Sequence, residues 1–153
     1  MLSKFQLFLL SAKKTIIGKY FSLFDICNSN TALAKNFDNR PSADIIKRAT
    51  ALIINVLLPI REHFGLPMIV SCIFRCLLLN RFLGSKDDSQ HVKGEACDFT
   101  IPGKTIDEIF NWIKHNLVFD QLIHEGTWIH VSFSLVKNRK QCLKLVNGKY
   151  IPA

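Results

Sequence analysis

His91, Asp98, His124, Glu125 and His130 are the side chains in this sequence whose types and spacing could do chemistry. Imidazole and carboxylate groups taken in threes are how proteins hold a catalytic zinc ion, with the fourth position left to water. His91 and Asp98 flank the run Val-Lys-Gly-Glu-Ala-Cys. Gly94 lets the chain turn between them, and the small Ala96 leaves room for backbone to come close. If residues 95–99 form a strand, its side chains alternate, so Ala96 and Asp98 share one face and Cys97 and Phe99 the other. Asp98 then points into a cleft while its neighbours point into the core. In the run Trp128 to Phe133 the same alternation groups His130 with Trp128 and Ser132, against Ile129, Val131 and Phe133 on the inner face. A lone histidine so placed is more often a surface residue than a ligand, and spacing alone does not choose between the two.

The elements that must position these groups are readable from periodicity. Ile45, Ile46, Ala49, Leu52, Ile53, Val56, Leu57 and Ile60 recur at helical spacing, which predicts a long helix over Ser42 to Phe64 with Gly65 as its terminator. Pro59 lies late in that run and predicts a kink or break. Met68 to Ser71, after Pro67, reads as a short strand, Gly84 to Gly94 as loop, and Glu95 to Ile101 as a second strand. Thr105 and Glu108 form a capping box that opens a helix reaching Asn116, with Ile106, Ile109, Phe110 and Ile113 on one face. Gln121 to His124 and Trp128 to Phe133 then read as paired strands joined by a tight turn through Gly126. Asn28 to Pro41 is polar and punctuated, and reads as loop. Helices set beside a small, mainly antiparallel sheet make an α+β domain.

The chain has 153 residues, enough for one domain with a real core, and there are no internal repeats or linker-like tracts. Its 20 Lys and Arg against 12 Asp and Glu give a net charge of +8, which draws a protein towards polyanions. The basic residues are scattered, without the dense stripe and interleaved aromatics of a nucleic-acid interface, so no nucleic-acid partner is expected. Five cysteines, an odd number with no CxxC pair, argue against a disulfide framework and a cysteine zinc knuckle, and read as buried free thiols. The apolar run Phe5 to Leu10 is far too short to span a membrane, and reads as a packed or frayed N-terminal helix within an extension over residues 1–18. The remaining residues, 19–153, read as the functional domain.

The run Ser89-Gln-His91-Val-Lys-Gly94-Glu-Ala96-Cys-Asp98 resembles the SxHxxGxAxD signature of the zinc D-alanyl-D-alanine carboxypeptidases and VanX-type D,D-dipeptidases. Trp128-Ile-His130-Val-Ser is similar to the distal segment that supplies that family's third ligand. Phe21-Ser-Leu, Asn39-Arg-Pro41, Leu58-Pro-Ile-Arg-Glu-His-Phe-Gly65 and Phe119-Asp-Gln-Leu-Ile123 resemble its short, phage-associated branch, so the likeness runs from about residue 20 to 143. The fold it implies is the one shared with the N-terminal domain of hedgehog proteins.

That resemblance implies one zinc ion held by His91, Asp98 and His130, with Arg75 and Ser89 on the substrate. It also implies peptide hydrolysis by a zinc-activated water, with Glu125 as general base. In two places the sequence departs from the pattern. Ile73 and Cys76 stand where relatives carry Gly and Ser beside the arginine, and Thr127 stands where better-known relatives carry the base. Glu125, across the turn at Gly126, is the nearest carboxylate. The implied substrates are peptidoglycan stem peptides, cut by a D,D-carboxypeptidase or by an endolysin-type L-Ala-D-Glu peptidase. The alternative is a catalytically silent zinc-containing wall-binding module or a phage tail-associated protein. Action at the bacterial cell wall, as a monomer released as a phage lysin or exported, completes the expectation.

Overall fold

A computed structural model describes all residues, 1–153. It opens with helix α1 (Lys4–Ala12), the small hairpin β1 (Ile16–Ile17) and β2 (Phe21–Ser22), and the short helices α2 (Leu23–Cys27) and α3 (Asn30–Ala34). The long helical run follows as α4 (Ala43–Leu52), a wide-turn segment Ile53–Leu57 and α5 (Leu58–Phe64). Then come β3 (Ile69–Cys72), α6 (Leu77–Phe82), β4 (Ala96–Thr100) and α7 (Ile106–Asn116). The chain ends in strands β5 (Gln121–His124), β6 (Ile129–Ser132), β7 (Gln141–Val146) and β8 (Lys149–Pro152).

The larger sheet runs β3-β4-β6-β5-β7-β8, antiparallel throughout except for the parallel pair β5 and β7. This is the α+β architecture expected. One sheet face is covered by helices: Phe99, Leu122, Ile129 and Val131 share a single buried cluster with Leu52, Val56, Ile109 and Ile113. The opposite face carries Asp98, Gln121, Ile123, His130, Leu143 and Tyr150, and lines a cleft. No helix is long and apolar enough to cross a membrane.

Local chemistry explains several boundaries. At α7, Thr105 Oγ1 accepts from the Glu108 N–H at 3.1 Å while the Glu108 carboxylate accepts from the Thr105 N–H at 2.8 Å, closing the capping box. Gly65 ends α5 in the left-handed conformation (φ 63°), which costs glycine no steric penalty. A break at Pro59 is corrected. Proline lacks the N–H that would bond four residues back, and its ring crowds that carbonyl. The helix widens just before it instead, with the Leu58 N–H reaching Ile53 O, and then continues to Phe64. The loop expected from Asn28 to Pro41 is also corrected. It contains α3, because Ser29 Oγ caps the Ala32 N–H at 3.2 Å and Ala32 is fully buried.

The N-terminal helix is packed: Ser3 and Gln6 make a capping box, and Phe5, Leu9 and Ala12 join the main core. All five cysteines are free thiols, but they are not all buried. Cys27 and Cys97 are enclosed and burial pushes both thiols up, Cys27 to about 12, whereas Cys72, Cys76 and Cys142 are half-buried.

Candidate metal centre

Two of the three candidate ligands face each other across adjacent strands. Asp98 on β4 pairs with His130 on β6, with Cys97 opposite Val131 and Phe99 opposite Ile129 turned to the core. The Asp98 carboxylate and the His130 ring therefore leave the sheet on the same side, and His130 Nδ1 lies 2.8 Å from Asp98 Oδ1. His91 comes from the loop before β4 and is buried. Its Nε2 sits 3.2 Å from Asp98 Oδ2. One ligand atom from each of His91, Asp98 and His130 lies within 4.8 Å of the others.

The turn that delivers His91 depends on Gly94. Its φ is +72°, and an added Cβ would stand 2.8 Å from Ile45 Cγ2 and 3.0 Å from Ile45 O. Helix α4 thus packs directly on the turn, and any side chain there would force one of the two away. The loop is further fastened by Gln90, whose Nε2 donates to Asp120 Oδ2 at 2.8 Å, and by Ser89 Oγ, which accepts from the His91 N–H at 3.3 Å.

The donor set suits a divalent cation. His91 Nδ1 lies 2.9 Å from the Ile73 carbonyl, which can only accept, so Nδ1 carries the hydrogen and Nε2 turns a lone pair on Asp98. Two acceptors 3.2 Å apart need something positive between them. Donor separations of 3.2 and 2.8 Å are close to the roughly 3.3 Å that ligands about 2 Å from a tetrahedral zinc would show. A proton plays the positive part when no metal does. Burial pulls the His91 imidazole down, but its hydrogen bonds with Asp98 and Cys72 outweigh this and carry it to about 10. Burial likewise pushes Asp98 up, and the hydrogen bonds of His130 and His91 overcome it and hold the carboxyl well below the usual range.

Arg75 adjoins the group. Its Nη2 donates to Asp98 Oδ2 at 3.2 Å, its Nη1 to Ser85 Oγ at 3.3 Å and its Nε to Cys72 Sγ at 3.1 Å. Its segment is held by Asn39, a fully buried side chain of the family-like run Asn39-Arg-Pro41 to which the sequence expectations gave no role. Asn39 donates to Cys27 O at 2.8 Å and Phe74 O at 3.2 Å, and accepts from the Cys76 N–H at 2.7 Å. The signal available for it was the likeness of Asn39-Arg-Pro41 to the short branch, which marks the segment but not what the side chain holds.

Ser89, Glu125, His91, Asp98, His130 and Arg75 all line one cavity of about 630 Å³. Glu125 sits on the β5–β6 turn, where burial pushes its carboxyl above the usual range and the Tyr150 hydroxyl partly offsets this. His124, its neighbour, faces the other way. It is buried against Phe110 and lies 3.2 Å from Asp107 of α7, so it belongs to the helix side of the sheet.

Fold and site together define a metallopeptidase type of centre. The peptidase M15 family model matches residues 19–132, and the chain belongs to that family. Peptidases of this family are zinc-dependent, and the matched span holds the His-Asp-His group, Arg75, Ser89 and Glu125. No curated protein matches the chain in sequence.

Proposed function

We propose that the protein is a zinc peptidase that cuts internal bonds of peptidoglycan stem peptides, of the L-Ala-D-Glu type. The observation that carries this reading is the His91, Asp98 and His130 group, lining one cavity with Arg75 and Glu125. Zinc bound there supplies a Lewis acid that polarises the scissile carbonyl and acidifies water.

The chain's own groups do the rest. Glu125 takes a proton from the attacking water and delivers it to the amine nitrogen as the C–N bond breaks, and its raised carboxyl suits a group that must accept and then release a proton. Arg75 has five N–H groups, and the three hydrogen bonds described above leave two to hold a substrate carbonyl or carboxylate. Ser89 accepts from the His91 N–H, which leaves its own O–H free to donate to substrate.

An internal bond is favoured over removal of a terminal D-Ala by the shape of the cleft. A second cavity of about 420 Å³, with Ser29, Asn30, Thr31 and Leu83 in its walls, shares Arg75, Asp98 and Trp128 with the first. The cleft therefore continues beyond these residues rather than closing on a chain end. Action is at the cell wall, by a monomer, and the net charge of +8 favours adsorption to that anionic surface.

Digestion of purified sacculi by zinc-loaded protein tests the reading. New D-Glu amino termini, abolished by a chelator and restored by zinc, are the expected products. Release of free D-Ala alone would make it a carboxypeptidase. No release of any kind, from protein that carries zinc, would leave a wall-binding module.

A further inference from the structure

The strands after residue 132 lie outside the matched span yet reach into the cleft. Strands β7 and β8 form a hairpin through Asn147 (φ 50°) and Gly148 (φ 74°), with Val146 paired to Lys149 and Leu145 to Tyr150. Because β7 runs parallel to β5 with Ile123 opposite Leu143 and His124 opposite Lys144, the hairpin is laid beside the strand that leads into Glu125. Leu143 and Tyr150 thereby become walls of the larger cavity.

Glu125 has little else to hold it. Gly126, Thr127 and Trp128 of its turn are exposed, and Gly126 has a φ of +90°. The turn is closed by one backbone bond, from the Glu125 N–H to Trp128 O at 3.1 Å. The carboxylate itself takes hydrogen bonds from one side chain. The Tyr150 hydroxyl lies 3.2 Å from Oε1 and 3.2 Å from Oε2, aimed between the two oxygens. Burial and the nearby Glu125 charge both raise the Tyr150 phenol, which keeps it a donor at neutral pH.

We propose that Tyr150 is the positioning residue of the general base: its hydroxyl clamps both Glu125 oxygens and turns the carboxylate into the cleft that His91, Asp98 and His130 also line. The inference rests on Glu125 acting as base, as set out above. It follows that the C-terminal hairpin, rather than the matched span, completes the catalytic apparatus. A side chain that is 54% exposed is otherwise an unremarkable place for a tyrosine. Its removal should cost folding little.

The test is Tyr150→Phe in the full-length, zinc-loaded chain, assayed on soluble stem peptides released from sacculi. Phenylalanine keeps the ring and removes the donor. The expected result is a fall in kcat of about tenfold with KM and bound zinc unchanged, since only the orientation of the base is lost. In 13C NMR with labelled glutamate, the Glu125 carboxyl should titrate at higher pH in the variant, because a hydrogen bond to its charged form has gone. Unchanged kcat beside an active wild type would overturn the inference and leave the peptidase reading intact. A kcat loss accompanied by loss of zinc, or by an unmoved Glu125 titration, would overturn it as well. A wild type that hydrolyses nothing would instead remove the peptidase reading on which it rests.

Discussion

Asp98 and Glu125 line the same cleft, but one is built into the sheet and the other is perched on its rim. Asp98 lies on an inner strand, its side chain 15% exposed, with His91, His130 and Arg75 all on its two oxygens. Glu125 lies on an exposed turn and its carboxylate has one partner, Tyr150, from the outermost strand. On the proposed function the contrast follows from what each group would have to do, Asp98 as a metal ligand and Glu125 as the base. A metal ligand works by staying still, so it gains from central strands and several hydrogen bonds. A base must meet water, take a proton and release it, which needs access and a carboxyl that is not held permanently charged.

The largest expected effect breaks that comparison at its rigid end. Asp98→Ala should leave the protein without bound zinc and without activity. It should also lower the stability of the metal-free chain by about 3 kcal/mol, because Arg75 and two imidazoles would lose the one carboxylate they share. Glu125→Gln should do the reverse: zinc near one per chain, an unchanged melting temperature, and kcat reduced by about 100-fold or more. Metal analysis and thermal unfolding of the two variants side by side decide it. Loss of zinc from the Glu125 variant would show that the rim is part of the metal site after all.

A smaller effect is expected where the helix supports the ligand loop. Gly94→Ala places a Cβ 2.8 Å from Ile45 Cγ2 at a backbone angle of +72°. The strain should cost about 2 kcal/mol, or roughly 6 °C of melting temperature in a chain of this size. Zinc affinity should fall with it, since the same turn carries His91. A variant of normal stability and weakened zinc binding would separate the turn's delivery of His91 from its packing on α4.

Much of this centre was legible in the amino-acid sequence because its determinants are local. Alternation along β4 and β6 places Asp98 and His130 on one face, and the observed pairing of those two residues agrees with it. The Thr105 capping box and the Gly65 stop are likewise local signals, and both stand where expected. The departures have longer reach. Asn39 acts through atoms as far along the chain as Phe74 and Cys76, and nothing in its neighbourhood marks that. The wide turn before Pro59 depends on a helix that tertiary packing keeps intact on both sides. Tyr150 is a different case. Asn147-Gly148 between alternating apolar residues is a strong hairpin signal, so β7 and β8 were open to detection. Their parallel pairing with β5, which is what carries Tyr150 to Glu125, is a non-local choice that no short pattern encodes.

The smallest expected effect lies at the seam between the ligand loop and the C-terminal hairpin. Buried Asp120 accepts two side-chain hydrogen bonds from Arg139, at 2.8 and 2.7 Å, and a third from Gln90 of the signature loop. Arg139 above all holds the Asp120 carboxyl below its usual range. A carboxyl depressed on folding adds stability above its unfolded pKa, and that stability is lost as pH falls through the folded value. Arg139→Ala should therefore lower stability at neutral pH, by under about 1 kcal/mol since the guanidinium is largely exposed. The difference from the wild type should shrink below about pH 4, where the unfolded carboxyl takes up its proton. Urea unfolding at pH 7 and pH 3 measures both points. If Arg139 also anchors the hairpin, the variant should lose part of the Tyr150→Phe effect, because the phenol would already be loosened from Glu125. Additive losses in the double variant would mean that the hairpin is held at Glu125 by its pairing with β5 alone.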